Sequence, residues 1–321
     1  MPNNEVAFID GIVEAIKQIL TNGSAMLHQS VQEMMPLAVG VSVRTPYPVP
    51  QNGFFFGKPT DEPWISLYSY YSDVVLPITV LLFGVSIGVI MFTGTFGALL
   101  TGYEKSKAQR RLFIGFLFIL AWWGLGSFTL RFADAIATSI APDPNSVATA
   151  FTSKMSLSGT GMVTRAIMVF AEAIIVIGVV LWFLLRWIGI YALMLAMPIA
   201  VALWMAGVGG PLRYLSNLIE ELAFKFIPLA FISIPVAVVY RVGDLLFQAY
   251  NPAAEFGNPI APFVLVLGFP LLTLVSSYYV FFKAPSIGIV SRGQAPSSTE
   301  REAIQKGRAE VEVRVATEPH L

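Results

Sequence analysis

The chain of 321 residues contains no cysteine, which excludes disulfides and thiol chemistry and says little about the compartment. Its two histidines, His28 and His320, lie at opposite ends. With no thiolate to join them, they argue against a transition-metal site. There is no G-x-x-x-x-G-K-[ST], so no P-loop holds a nucleotide. G-x-S-x-G and H-E-x-x-H are also missing. Neither an enzyme nor a bound cofactor is expected. Charge is scarce, at 12% of residues against about 25% in a soluble domain. Twenty basic and 20 acidic residues cancel, so the chain as a whole is no nucleic-acid binder by electrostatics. The first residues carry Glu5 and Asp10 and no basic cluster, so no ordinary signal peptide is expected.

What is abundant is apolar surface, with 55% of residues hydrophobic. So few charges cannot solvate that excess, so the chain is expected to be an integral membrane protein. Long apolar runs predict the helical class, because barrels show short alternating segments instead. The longest run, residues 166 to 212, is interrupted by only two charges, Glu172 and Arg186. At the helical rise it is roughly 70 Å long, about twice a bilayer core. It is either two membrane helices or one crossing continued by a buried or interfacial piece.

Residues 1 to 73 read as an extracytoplasmic segment. Val6, Ile9, Val13, Ile16 and Leu20 recur at helical spacing, with Asp10, Glu14 and Lys17 opposite, so an amphipathic helix is expected that Gly23 can end. It can pack on the membrane domain or serve as an interfacial or partner-binding helix. Residues 41 to 64 hold five prolines and two glycines and read as a loop. Residues 74 to 282 form the transmembrane domain. Its first span, Val74 to Leu100, contains Gly84-x-x-x-Gly88 and then Gly94 and Gly97, a spacing that lets helices approach closely in lipid. Lys105, Lys107, Arg110 and Arg111 follow, and the positive-inside rule makes this short loop cytoplasmic. A second span covers Leu112 to Leu130. Residues 131 to 165 read as an external polar connection.

Beyond the long run, Leu212 to Leu222 is amphipathic and looks interfacial. Ala223 to Tyr240, with Lys225 near its start, and Ile260 to Phe282 are further spans. Residues 283 to 321 form a charged tail with six basic and five acidic residues, able to form a helix or to stay disordered until a partner binds. Hydropathy thus offers six candidate spans. Six crossings put the tail outside. Five put it inside, as its basic residues and the lack of any in 249 to 262 favour, provided residues 166 to 212 cross only once. Three polar groups fall within spans: Glu172, Arg186 and Lys225. Such groups are costly in lipid and mark function by default. Glu172 suits a structural pairing, with Arg165 or a neighbouring helix, or a proton or substrate pathway. Arg186 suits a tight hairpin, a snorkelling position or a polar interior.

RWIGIYALMLAMPIAVALW (186 to 204) followed by GGPLRYLSNLIEELAFKFIPLAFISIPVAVV (209 to 239) resembles the TrbL-like polytopic membrane proteins of conjugative type IV secretion systems. The likeness is one of layout: an arginine-aromatic entry, a helix with a central proline, a Gly/Pro break, an amphipathic Arg-aromatic helix and another span. It covers residues 74 to 282. It implies an oligomeric channel or platform of the prokaryotic inner membrane that moves DNA or protein, with single-stranded DNA as one cargo. Separate cytoplasmic ATPases and other secretion components would drive it, consistent with the missing nucleotide motif. A short external loop at 131 to 165 and the proline-rich entry at 41 to 63 depart from the family pattern. A small archaeal DNA-transfer version fits as well. A solute transporter and a structural membrane protein of a plasmid or virus are the competing readings. The absence of an evident inverted repeat counts against the transporter.

Overall fold

The computed structural model describes residues 3–51, 57–96, 102–154, 162–206, 225–249 and 260–283. Among these the regular structure is helical: α1 (Asn3–Val43), α2 (Trp64–Tyr70), a π-helical turn (Tyr71–Val75), α3 (Leu76–Phe96), α4 (Gly102–Ile140), α5 (Pro144–Lys154), α6 (Met162–Ala206), α7 (Phe226–Phe231), α8 (Ser233–Ala249) and α9 (Ile260–Lys283). Among the described residues four helical runs are long and apolar enough to cross a membrane: Trp64–Met91, Gln109–Ile140, Ala166–Met205 and Phe226–Ala249. The apolar part of α9, Leu267–Phe282, is shorter. The outer surface is apolar too. Leu81, Val85 and Met91 on α3, Phe113 and Leu120 on α4, and Ile174, Leu181 and Ile188 on α6 are all exposed. Water would penalise such a surface, whereas lipid solvates it. The chain is a polytopic, all-α membrane protein.

The long apolar run does not fold into a hairpin. Its residues 166 to 206 lie in one continuous helix, α6, of 45 residues, about 68 Å at the helical rise, and residues 207 to 212 lie outside the described ones. Its buried face repeats at three and four residues through Val169, Ala173, Val176, Val179, Phe183, Arg186, Ile190, Met194 and Met197. Other helices pack along this face. One core joins α1 through Val31, Met35 and Val39 to Val176 and Phe183 of α6 and to Val236 and Tyr240 of α8. A second joins Trp64 and Tyr71 to Trp122 and Trp123 of α4 and to Ile190 and Met194 of α6. Trp64 sets its ring edge-on to Tyr191 at 5.0 Å and to Trp123 at 6.2 Å. A smaller core gathers Ile119, Ala202 and Met205.

Several boundaries differ from those that hydropathy suggests. Helix α1 runs through Gly23 to Val43. The side chains of residues 6 to 20 lie outside the described ones, as do the amphipathic stretch 212 to 222 and the tail from residue 284. Helix α1 stops where Pro46, Pro48 and Pro50 follow, because a residue before proline is pushed out of the helical region. Helix begins again at Trp64 rather than Val74 and continues through the π-turn. The second span extends to Ile140 rather than Leu130, since Ala133 and Ala137 prolong its buried face.

Candidate functional site: a buried polar node around Arg186

Arg186 lies in mid-helix with 4% of its surface exposed. Its guanidinium donates Nε–H to the Leu229 carbonyl at 2.8 Å, Nη1–H to the Arg44 carbonyl at 3.2 Å, and Nη2–H to Thr45 Oγ1 at 2.7 Å and the Ala230 carbonyl at 3.1 Å. Leu229 and Ala230 are in the last turn of α7, where carbonyls lose their helical partners. Helix resumes at Ser233 after a single-residue interruption at Ile232. The planar, five-donor fork of arginine suits several acceptors at once, which a lysine ammonium does not.

Thr45 is the hub. Its backbone N–H donates to Asp134 Oδ1 at 2.8 Å, and its hydroxyl lies 2.8 Å from Ser233 Oγ. Asp134 and Arg186 attract each other electrostatically across it. Five segments therefore meet: the end of α1, α4, α6, α7 and α8. Of the alternatives for Arg186, the structure shows the polar interior. Asp134 and Thr45 were not legible in advance. Asp134 sits in a segment that reads as an external connection, and Thr45 in a proline-rich loop. The run Leu130, Ala133, Ala137 was the available signal.

Glu172 is also buried, at 1% exposure, and lies on the same face, since 14 residues bring a helix nearly back into register. Its neighbour is His28 of α1, with Nδ1 3.8 Å from Oε2. The side chain of Arg165 lies outside the described residues. Lys225 donates Nζ–H to the Phe281 carbonyl at 3.1 Å and sits 5.3 Å from the Phe281 ring centroid. It thereby takes one of the last carbonyls of α9.

The glycines divide sharply. Ser86 Oγ donates to the Ala202 carbonyl at 2.8 Å, so Ser86 faces α6. Gly84 and Gly88, each two residues away, fall on the far side. A Cβ built at either meets nothing within 4 Å. Gly94 lies within α3 and Gly97 beyond it, outside the described residues. Close approaches within the chain occur at glycines that form no motif. A Cβ at Gly115 would overlap Met205, one at Gly126 would lie 2.5 Å from Met194 Sδ, and one at Gly243 would lie 3.1 Å from the Phe269 ring.

A family model described as TrbL/VirB6 plasmid conjugal transfer like protein matches residues 3–319. The chain belongs to this family. No curated protein and no solved structure matches the chain. The TrbL/VirB6 match takes in more than the residues that carry the resemblance. It includes α1 and the proline-rich entry, which supplies Thr45 to the node. That entry, for all its unusual composition, is part of the matched region.

Proposed function

We propose that this TrbL/VirB6-type protein is an oligomeric channel or platform subunit, in the inner membrane, of a conjugation or type IV secretion-like machine. The family match over residues 3–319, in a chain whose described residues include four membrane-length helices, carries the reading. The cargo is DNA or protein, with single-stranded DNA passing in an extended form. A separate cytoplasmic ATPase supplies the work. The fate of the buried polar groups supports this over a solute carrier. Arg186, Asp134, Thr45 and Ser233 are committed to one another and to backbone carbonyls, which leaves little polar lining for a solute path. Gly84 and Gly88, exposed on α3, offer a second copy a face for close approach.

On this reading residues 1–73 lie on the outer side, 74–282 form the membrane domain and 283–321 lie in the cytoplasm, with five crossings. Its support is that Arg111, beside the basic loop, lies over the Trp204 ring at 4.6 Å. The start of α4 and the end of α6 therefore share one end of the bundle. Deleting the gene should stop DNA transfer between cells while growth on ordinary media continues. Deleting residues 295–321 should leave the protein in the membrane and abolish transfer. Normal transfer in the gene deletion, or solute flux into proteoliposomes containing this chain alone, would overturn the reading.

A further inference from the structure

We propose that the first half of α6 carries a coiled-coil seam by which copies of this chain pair outside the bilayer, each α6 lying parallel and in register with that of a second copy. The inference rests on the oligomeric reading given above and names a contact between copies that it leaves open. Between residues 166 and 188 the exposed positions of α6 are Ile167, Phe170, Ile174, Ile177, Leu181 and Leu184, then Ile188, with Leu185 flanking the line. The steps alternate between three and four residues throughout. That is a period of 3.5, the repeat of the a and d positions in a left-handed coiled coil. The charged groups Glu172 and Arg186 are turned inward, away from this stripe.

Lipid covers α6 over one bilayer depth only. Arg111 lies over Trp204 at one end of the bundle, and Asp134 meets Thr45 beside Arg186. From Arg111 to Asp134 α4 rises about 35 Å, enough to cross the roughly 30 Å of hydrocarbon. Trp122, between them, bonds to Met194, so α6 descends beside α4 through the same depth. From Arg186 back to Met162 α6 runs on for about another 36 Å. Helix α1 follows that half, with His28 3.8 Å from Glu172, and α5 joins the same core through Val147. The exposed face of α1 there carries Asn22, Gln29, Ser30 and Glu33, and that of α5 carries Asn145 and Ser146. Water solvates these groups and hydrocarbon does not. An apolar stripe in the same layer therefore calls for protein to cover it. A second copy meets the requirement by symmetry. Copies held in one bilayer are related by rotation about its normal, so each presents the seam at the same height and in the same direction. Parallel, in-register helices are the arrangement that sets a against a and d against d. The stripe exposes roughly 700 Å² of apolar side chain per copy, close to the 800 Å² or so that each partner buries in a standard interface.

The contact is tested on the purified full chain in phosphatidylethanolamine/phosphatidylglycerol nanodiscs, with light scattering in mild detergent to give the size of the parent. The absence of native cysteine lets single cysteines report it. On oxidation with copper phenanthroline, Ile174→Cys and Ile177→Cys should each form a disulfide-linked dimer. Gln29→Cys, exposed in the same layer, should not. Adding Leu181→Glu, whose side chain points away from the chain's own core, should abolish the Ile174→Cys cross-link with helix content unchanged. It should also open that cysteine to a water-soluble maleimide. An assembled parent with no cross-link at 174 or 177, or one that cross-links as fully at 29, would overturn the seam and leave the oligomeric reading standing. A cysteine at 174 that stays shielded after Leu181→Glu would mean that lipid covers the stripe, and would equally sink the proposal. A monomeric parent would remove the oligomeric reading as well.

Discussion

Trp122 donates its indole N–H to the carbonyl of Met194 at 2.8 Å, the carbonyl four residues before Pro198. In an unbroken helix that oxygen would accept from the N–H of residue 198, which proline lacks. A side chain on α4 therefore supplies the bond that α6 cannot make for itself, and α6 runs through its proline to Ala206. Trp122→Phe keeps the ring and removes the donor. It should destabilise the protein by about 1–3 kcal/mol, the cost of a buried acceptor left unsatisfied. Adding Pro198→Ala restores a backbone donor and should recover most of the loss. Thermal unfolding of the two single variants and the double variant in detergent completes the cycle. Equal losses with and without Pro198→Ala would show that the indole does not replace the missing bond.

Arg186 ties α6 to carbonyls at the α7–α8 interruption and to the end of α1. Arg186→Leu leaves those acceptors unpaired and removes the counter-charge of Asp134, a loss of about 3–5 kcal/mol for a buried charge pair broken on one side. Arg186→Lys should rescue little, because an ammonium cannot present the planar fork. The yield of monodisperse protein and its unfolding temperature decide the matter, and a lysine variant as stable as the parent would refute the multi-acceptor role.

The two sets of glycines should separate in one experiment. Gly126→Leu drives a side chain into Met194, which is fully buried. About 1–3 kcal/mol of overpacking should appear as a lower unfolding temperature. Gly84→Leu with Gly88→Leu points into open space. Stability should change by no more than about 0.5 kcal/mol, while the assembled fraction in mild detergent falls. If the assembled size is unchanged, those glycines face lipid alone.

Sidedness can be read from outside the cell. Single cysteines at Asn22, Ser106 and Ser298 should react with an impermeant maleimide in intact cells only at position 22. Labelling at position 298 would rule out five crossings.

The sequence alone was enough to determine the class of the protein. Twelve per cent charge and uninterrupted apolar runs permit little besides membrane helices, and the layout from Arg186 to Val239 pointed to the TrbL-like family. It could not decide what Arg186 does. Hydropathy weighs a residue against its chain neighbours, and both sides of Arg186 are equally apolar. A hairpin and a continuous helix therefore look alike. Partners 43 and 141 residues away decide it, the carbonyl of Leu229 and the hydroxyl of Thr45. The glycines follow the same logic. Gly84-x-x-x-Gly88 has the spacing of a packing motif, yet Ser86 between them turns toward α6 and carries them to the outside. Gly115 and Gly126 have no motif and lie against methionines of α6. Local pattern fixes which residues share a face of a helix. Which face meets another helix depends on packing between segments far apart in the chain, and that packing exists only in the tertiary structure.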